Sequence, residues 1–139
     1  MARNILMLEH DEDDRYITQA IFDEHRYPIK LKFVNDSDEL FSYLRNCEEK
    51  KEHFPSLILL NYHTAPSNSV EIIHTLKQRK QFSHIPVVVL SGSVAPEIVQ
   101  ECYAVGACSF IQKPAMSEET DAKISNFFNY WFETVELPT

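Results

Sequence analysis

Several short apolar runs of this sequence are followed at once by polar or charged side chains that could do chemistry. These side chains are Glu9, His10 and Asp11, then Asn61 with Tyr62 and His63, then Ser91 with Gly92, and last Lys113. A carboxylate pair, a third carboxylate, a hydroxyl and a lysine at four such places would form a phosphoryl-acceptor site. In such a site the acids hold Mg²⁺, one carboxylate attacks phosphorus, and the hydroxyl and the lysine bind the phosphoryl oxygens.

The apolar runs that precede these residues have the pattern of strands. The continuous runs are 5–8, 57–60 and 87–90. Runs of this kind predict strands that are covered on both faces of a sheet. Leu31 and Phe33 instead alternate with lysines, which predicts a half-exposed strand at a sheet edge, and residues 109–111 predict a weaker fifth strand.

Five helical patterns alternate with these runs. Their apolar stripes are Ile17, Ala20 and Ile21; Leu40, Leu44 and Cys47; Val70, Ile73 and Leu76; Ile98, Val99, Cys102 and Val105; and Ile124, Phe127, Phe128 and Trp131. Asp36 and Glu39 have the spacing of a capping box at the start of the second helix. Pro96 lies near the first turn of the fourth helix and Gly106 just past its end, as helix boundaries favour.

Strands that alternate with helices in this way predict an α/β fold. The strands then form a parallel sheet wrapped by helices through right-handed crossovers. Ligands of such sheets bind beyond the carboxyl ends of the strands. Because the polar residues come directly after the strands, we expect them to lie together at one edge of the sheet.

The composition excludes several classes of protein. The chain has 139 residues, the length of one domain of roughly 100–150 residues. A formal net charge of −8 argues against a large nucleic-acid footprint, which needs clustered cations. No apolar run approaches the roughly 18 residues of a membrane span, and the N-terminus lacks the pattern of a secretory signal. The scattered cysteines Cys47, Cys102 and Cys108 predict reduced, buried thiols in a cytoplasmic protein.

The order of four motifs resembles the response-regulator receiver domain of two-component signalling, of the chemotaxis-regulator type. The motifs are ILMLEHDEDDR, LILLNYHTAPSNSVEII, PVVVLSGS and AVGACSFIQKP, and the resemblance runs from about Asn4 to Trp131. It implies a flavodoxin-like (βα)5 three-layer sandwich with strand order 2-1-3-4-5, in a bacterial signalling protein that is not an enzyme. It also implies roles for single residues: Ser91 as switch hydroxyl, Lys113 as phosphate-binding lysine, Phe110 as switch aromatic, and a cis peptide between Lys113 and Pro114.

The sequence departs from the family at the acceptor itself. The family's phosphoacceptor aspartate falls at Asn61, and a neutral amide cannot readily attack phosphorus. Glu9 keeps the first acid of the family's pair, but His10 stands where a metal-binding aspartate is expected. Mg²⁺ prefers hard oxygen ligands, so we expect no cofactor beyond weakly bound Mg²⁺. Ala65 and Ser69 replace the usual proline and glycine of the next loop, which predicts a changed loop shape.

The missing charges predict a network that stands without a metal. Lys113 would face Glu9 and Asp11, while Asn61 would accept a hydrogen bond from Lys113 and donate its NH₂ group to Glu9. Such a site is locked rather than switched, which predicts a pseudo-receiver that is not phosphorylated at position 61. Because His10 also departs from the family, we interpret Asn61 as a natural loss of the acceptor.

Other interpretations of the same residues stay open. His10 and His63, with Glu9 as an oxygen ligand, could bind a transition metal, although their spacing is not a metal motif. The acidic run 11–14 is interpreted as capping and charging the start of a helix. The main alternative function is a phosphorelay receiver with an unorthodox acceptor such as His10. A small enzyme that reuses the cleft is less favoured, because the sequence has no nucleophile elbow and no glycine-rich phosphate loop.

The resemblance covers nearly the whole chain, so we expect a single stand-alone receiver domain over residues 1–139, with a core of about 4–132. Without an effector domain, output would come through contact with a sensor histidine kinase or another signalling protein, not with nucleic acid or a membrane. The aromatic segment 127–132 is expected to lie mostly in the core. Any apolar excess there predicts a partner surface, or a homodimer through the fourth and fifth helices.

Overall fold

The computed structural model describes residues 3–26, 28–113 and 117–138, and strands and helices alternate along them as the sequence predicts. The strands are β1 (Arg3–Leu8), β2 (Ile29–Val34), β3 (Leu57–Asn61), β4 (Val87–Ser91) and β5 (Ser109–Gln112). The helices are α1 (Glu12–His25), α2 (Ser37–Glu49), α3 (Ser69–Gln78), α4 (Pro96–Val105) and α5 (Ser117–Phe128), and a π-helix, Asn129–Thr134, continues from α5. None of the helices in these ranges combines the length and the apolar character that crossing a membrane requires.

The five strands form one parallel sheet in the order β2-β1-β3-β4-β5. This is the predicted flavodoxin-like order, and it places β3 at the centre, between β1 and β4. Every residue of β3 is buried, as expected for a strand that helices cover on both faces. Along β2, half-buried and exposed residues alternate up to Val34, which confirms the half-exposed strand at the sheet edge.

The core has two apolar clusters, one on each face of the sheet. One cluster joins α2 and α3 to the sheet through side chains such as Leu44 and Ile72. The other joins α1 to α5 through Phe22 and Phe128, whose ring centroids lie 4.3 Å apart, and it also contains Trp131. Burying apolar surface on both faces holds the sheet between two helical layers, and the strand ends are positioned by that packing.

The starts of the first two helices use side-chain caps. Asp11 caps α1 by accepting a hydrogen bond from the Asp14 amide at 2.9 Å, which agrees with the interpretation of the acidic run. Asp36 caps α2 in the same way, through the Glu39 amide at 2.8 Å. The predicted capping box is nevertheless wrong in its second hydrogen bond, which would join the amide of the capping residue to the Glu39 side chain. The Glu39 carboxylate accepts from the backbone and side-chain amides of Asn35 at 2.6 and 3.2 Å, so it closes on the residue before the cap.

The end of α5 departs from the predicted period of 3.6. The amide of Val135 donates to the carbonyl of Tyr130 at 2.9 Å, five residues back, so the backbone widens into a π-helix. Trp131 is buried, whereas Tyr130 is 55% exposed. The aromatic segment therefore lies mostly in the core, as predicted, and Tyr130 is its exposed apolar excess.

The three free cysteines differ in exposure. Cys47 and Cys102 are buried on helix faces that pack on the sheet, as predicted. Cys108 is exposed, which corrects the prediction of a third buried thiol. It lies just before β5, in the connection that follows Gly106, where its amide donates to the Val87 carbonyl at 2.9 Å.

Candidate functional site

The carboxyl ends of the strands bring the predicted site residues to one edge of the sheet. Glu9 follows β1, Asn61 ends β3, Ser91 ends β4 and Lys113 follows β5. Glu9, Asn61 and Ser91 are all buried, although each carries a polar side chain. Buried polar groups need partners, so their hydrogen bonds determine what the site can do.

Lys113 lies between two carboxylates. Its Nζ is 2.9 Å from Oε1 of Glu9 and 3.4 Å from Oδ2 of Asp14. The Glu9 side chain is 1% exposed, whereas those of Lys113 and Asp14 are 32% and 48% exposed. The Glu9–Lys113 pair is the one that matters for stability, because a buried carboxylate without a partner is costly.

Asp11 does not face Lys113, which corrects the prediction for that residue. Its side chain is committed to capping α1, and its backbone amide donates to Oε2 of Glu9 at 3.3 Å. Asp11 thus contributes a backbone donor to the site, while Asp14, one helical turn on, supplies the second carboxylate. Both oxygens of Glu9 therefore have donors within this part of the chain.

Asn61 makes neither of the two predicted hydrogen bonds. Its Nδ2 donates to the backbone carbonyl of Leu8 at 3.0 Å, and its buried Oδ1 has no hydrogen-bond partner within the described residues. The prediction fails because Lys113 is already held by two carboxylates and because the Leu8 carbonyl lies at the end of the neighbouring strand. The Asn61 side chain is held by the hydrogen bond that its NH₂ group donates, and a carboxylate has no such donor.

Ser91 ends β4, and Phe110 lies on the neighbouring strand β5. The Ser91 hydroxyl accepts a hydrogen bond from the Ser93 amide at 3.1 Å, and the Ser91 carbonyl accepts from the Lys113 amide at 2.7 Å. Phe110 is half-buried and packs against the core, while its amide donates to the hydroxyl of Tyr103 at 3.1 Å. The expected cis peptide between Lys113 and Pro114 lies outside the described residues.

The loop between β3 and α3 is tied to its surroundings by serine side chains. The hydroxyl of Ser69, the residue in place of the expected glycine, donates to the carbonyl of Tyr62 at 3.0 Å. Ser37 accepts from the Ser67 amide through its hydroxyl at 3.0 Å and donates its own amide to Ala65 at 3.1 Å. A cis peptide joins Ala65 to Pro66. The loop thus connects the end of β3 to the starts of α2 and α3.

His10 and His63, the weak metal candidates, are both exposed. The ring of His63 lies edge-on to that of Tyr62, with centroids 5.0 Å apart. Within the described ranges, no group of three or more His, Cys, Asp or Glu side chains is placed to hold a metal ion. Burial raises the pKa of the Tyr62 phenol, and Glu101 and Cys102 add to the rise, so this hydroxyl is a poor anionic ligand at neutral pH.

Sequence reasoning missed Arg15 at this edge. Its Nε donates to the Glu9 carbonyl, its Nη2 donates to the Asn35 side chain, and its guanidinium carbon lies 5.2 Å from the centroid of the Phe33 ring. Arg15 therefore joins the ends of β1 and β2 beside the buried acid. The sequence did place Arg15 next to Asp14 on the first turn of α1. This position could have indicated its role, because both side chains point towards the strand ends.

Comparisons with known proteins agree with this architecture. The family described as "Response regulator receiver domain" matches residues 5–125. The response regulator Rcp1 of Synechocystis sp. is 24% identical over 135 residues, which span 96% of this chain and 92% of Rcp1.

Solved structures of relatives match over almost the full length. The phosphorylated cyanobacterial phytochrome response regulator RcpA has a TM-score of 0.90 at 25% identity and 100% coverage of both chains. The Mn²⁺-bound form of Rcp1 has a TM-score of 0.88 at 24% identity and 99% coverage of both. The family match covers most of the chain, from β1 into α5. The chain therefore belongs to the response-regulator receiver family, a family of signalling proteins.

Proposed function

We propose that this chain is a pseudo-receiver, which acts in two-component signalling by protein–protein contact and is not phosphorylated at position 61. The observation that carries the proposal is the state of Asn61. Its amide is buried and donates to the Leu8 carbonyl, so the position holds a neutral, hydrogen-bonded group instead of a charged nucleophile. An acyl phosphate needs a carboxylate at this place.

The charges around Asn61 support the same conclusion. Lys113, the residue in the place of the family's phosphate-binding lysine, is satisfied by Glu9 and Asp14. An incoming phosphoryl group would have to compete with two carboxylates for this lysine. Lys113 is therefore already paired within the site, and this pairing needs no phosphoryl group.

The donor set does not fit the divalent metal that the family implies. Mg²⁺ needs near-octahedral oxygen ligands. Here Glu9 is paired with Lys113 and with the Asp11 amide, and His10 offers a ring nitrogen where an oxygen is needed. We infer weak Mg²⁺ binding, which isothermal titration tests: a dissociation constant of about 1 mM or tighter would contradict the inference. The Mn²⁺-bound structure of Rcp1 makes Mn²⁺ the second ion to titrate.

The partner that we propose is a sensor histidine kinase or another signalling protein, met in the cytoplasm. The similarity to RcpA, a phytochrome response regulator, makes a phytochrome-type histidine kinase the first to be tested. The exposed Val94 and Tyr103, before and on α4, and Tyr130, just after α5, supply apolar surface for a partner or a homodimer there. A single stand-alone domain without enzymatic activity is part of the same proposal.

Phosphorylation by a small donor tests the central point. The purified protein is incubated with Mg²⁺ and acetyl phosphate, beside the variants Asn61→Asp and Asn61→Asp/His10→Asp, and the intact masses are measured. We expect no adduct of one phosphoryl group on the wild type. We expect an adduct on the double variant, because it has both the carboxylate nucleophile and the missing metal-binding acid.

The outcomes separate the alternatives. A stable adduct on the wild type would overturn the pseudo-receiver. Peptide mapping would then distinguish His10, the unorthodox acceptor of the alternative phosphorelay function, from any other residue. An adduct on Asn61→Asp alone would mean that His10 does not impair the site, and the metal argument would fail while the argument from the nucleophile stood.

A further inference from the structure

The charge of this molecule is distributed unevenly along the sequence. The chain has a formal net charge of −8, yet residues 72–96 contain no aspartate or glutamate. The basic and histidine residues of this stretch are His74, Lys77, Arg79, Lys80 and His84. Residues 79–86, which join α3 to β4, are called the basic loop below.

The basic loop lies at the edge of the sheet opposite to the site. The helices of this fold run antiparallel to the strands, so the end of α3 and the start of β4 lie at the amino ends of the strands. Glu9, Asn61 and Lys113 lie at the carboxyl ends. The basic loop is therefore a separate surface, and it takes no part in the chemistry at position 61.

The basic loop is held in one conformation. Nζ of Lys77 donates to the carbonyls of Ser83 and Ile85 at 3.1 and 2.8 Å, which ties the last turn of α3 to the end of the loop. Phe82 is 1% exposed, and its ring meets that of Phe54 edge-on with centroids 5.3 Å apart. A loop that is anchored at both ends and in its middle has little backbone entropy left to lose on binding.

Arg79 and Lys80 are the exposed cations of this loop. Over the described ranges, neither side chain has an ion pair or a hydrogen bond to a carboxylate. A cation near a helix C-terminus stabilises the helix, which could explain Arg79 and Lys80. The last turn of α3, however, already contains the cation Lys77. The nearby lysines Lys50 and Lys51 differ, because Glu48, Glu49 and Glu52 surround them in the sequence.

We propose that the basic loop, through Arg79 and Lys80, docks an acidic segment of a partner protein. Charge complementarity supports this occupant, since no carboxylate of the described residues forms an ion pair with either cation of the patch. A nucleic acid or an anionic membrane would need a larger basic footprint than two free cations in a chain of net charge −8. A second copy of the chain is an alternative occupant, which sedimentation equilibrium distinguishes.

The test measures binding of a fluorescein-labelled peptide of ten glutamates by anisotropy, at about 20 mM and about 150 mM salt, where screening differs strongly. The variant is Arg79→Ser/Lys80→Ser. The matched control is Lys50→Ser/Lys51→Asn, which removes the same charge at the end of α2; asparagine suits the positive φ of 55° at Lys51. We expect the loop variant to bind at least about tenfold more weakly than the wild type and the control to change affinity by less than about threefold.

A second variant, Arg79→Lys/Lys80→Arg, keeps both charges and should keep the affinity. Equal losses in the loop variant and the control would overturn the proposal, because net charge alone would then explain them. Absence of wild-type binding at low salt would also overturn it. So would tighter binding of a ten-nucleotide DNA strand through the same residues, or self-association that only the loop variant abolishes in sedimentation equilibrium.

Discussion

Asn61 differs from an aspartate in what it donates, and this difference governs its effect on stability. The side chain is 5% exposed and its NH₂ group donates to the Leu8 carbonyl at 3.0 Å. In Asn61→Asp a carboxylate oxygen faces that carbonyl instead, so a hydrogen bond is replaced by a repulsion between two acceptors. We expect the variant to lose about 1–3 kcal/mol of unfolding free energy at pH 7, measured by urea denaturation.

The control for this prediction is Asn46→Asp, at an exposed position of α2, which makes the same chemical change without the buried carbonyl. It should stay within about 0.5 kcal/mol of the wild type. If Asn61→Asp were as stable as the wild type, the amide would not be held as described, and the family's aspartate would be freely accommodated here.

The Glu9–Lys113 pair gives a second prediction. Lys113→Met leaves the carboxylate of Glu9, 1% exposed, without its cation. Removing one partner of a fully buried pair costs 3–5 kcal/mol, and since the Lys113 side chain is 32% exposed, we expect about 2–3 kcal/mol. Glu9→Gln combined with Lys113→Met should cost less than the sum of the single changes by about 1–2 kcal/mol in urea denaturation.

Asp14→Asn is the matched comparison for that cycle. The contact of Asp14 with Lys113 is longer, at 3.4 Å, and the side chain is 48% exposed, so its removal should cost no more than about 1 kcal/mol. Strict additivity of the Glu9 and Lys113 changes would mean that the two side chains do not interact in solution. The argument that Lys113 is already paired within the site would then fail.

At the scale of elements, the end of α4 depends on Gly106. This residue has a φ of 118°, which residues other than glycine rarely adopt. A Cβ at this position would also lie 2.9 Å from Cγ of Lys77. We expect Gly106→Ala to destabilise the fold by about 1–3 kcal/mol. Gly92→Ala is the control, because a Cβ at Gly92 meets nothing within 4 Å. Thermal unfolding of both variants measures the difference, and equal midpoints would contradict the prediction.

The elements could be predicted because their signals are local, whereas several of their ends could not. Continuous apolar runs predicted β3 and β4, because both faces of these strands are buried. Alternation with lysines predicted β2, because only one face of this strand is covered. The widening of α5 into a π-helix depends on how Trp131 and the residues after it pack on the sheet. The cap Asp36 was predicted correctly, but the Glu39 carboxylate accepts from the amide of Asn35, one residue before the cap.

The site was predictable in position but not in its contacts. Fold topology alone brings Glu9, Asn61, Ser91 and Lys113 to one edge. The choice between Asp11 and Asp14 as partner of Lys113 depends on the rotation of α1, which its cap and its packing set together. Hydrogen-bond partners depend on displacements of about 1 Å, and residue types do not encode these.

At the scale of the whole molecule, the site and the basic loop lie at opposite edges of the sheet. Glu12, Asp13 and Asp14 begin α1 at the edge that carries the site, while Arg79 and Lys80 lie at the other edge. A molecule of net charge −8 with this separation has two surfaces that attract different partners. Contact at the basic edge leaves the edge with Asn61 accessible, so both could be engaged together.

The alkylation rates of the three free thiols measure how readily the parts of the molecule around them unfold. Cys47 and Cys102 are buried, so iodoacetamide should reach them only after sub-global or global unfolding. Cys108 is exposed as a residue and should be alkylated in the native state, but its Sγ is partly buried, and this burial raises the pKa of the thiol more than the Val87 backbone and Lys77 lower it. A raised pKa means less thiolate at pH 8, so its alkylation should be slower than that of a free thiol. Its rate should keep rising with pH beyond the ordinary thiol value of about 8.5.

Mass spectrometry of peptides after timed alkylation between pH 7 and 10 measures each cysteine separately. Native protein should show label on Cys108 first, with Cys47 and Cys102 following together as urea is added, since they lie in the helical layer on one face of the sheet. Labelling of Cys102 in the native state as fast as that of Cys108 would mean that α4 opens independently of the core. The face formed by α4 and α5 would then be a mobile surface, and a partner that docks there would have to order α4 on binding.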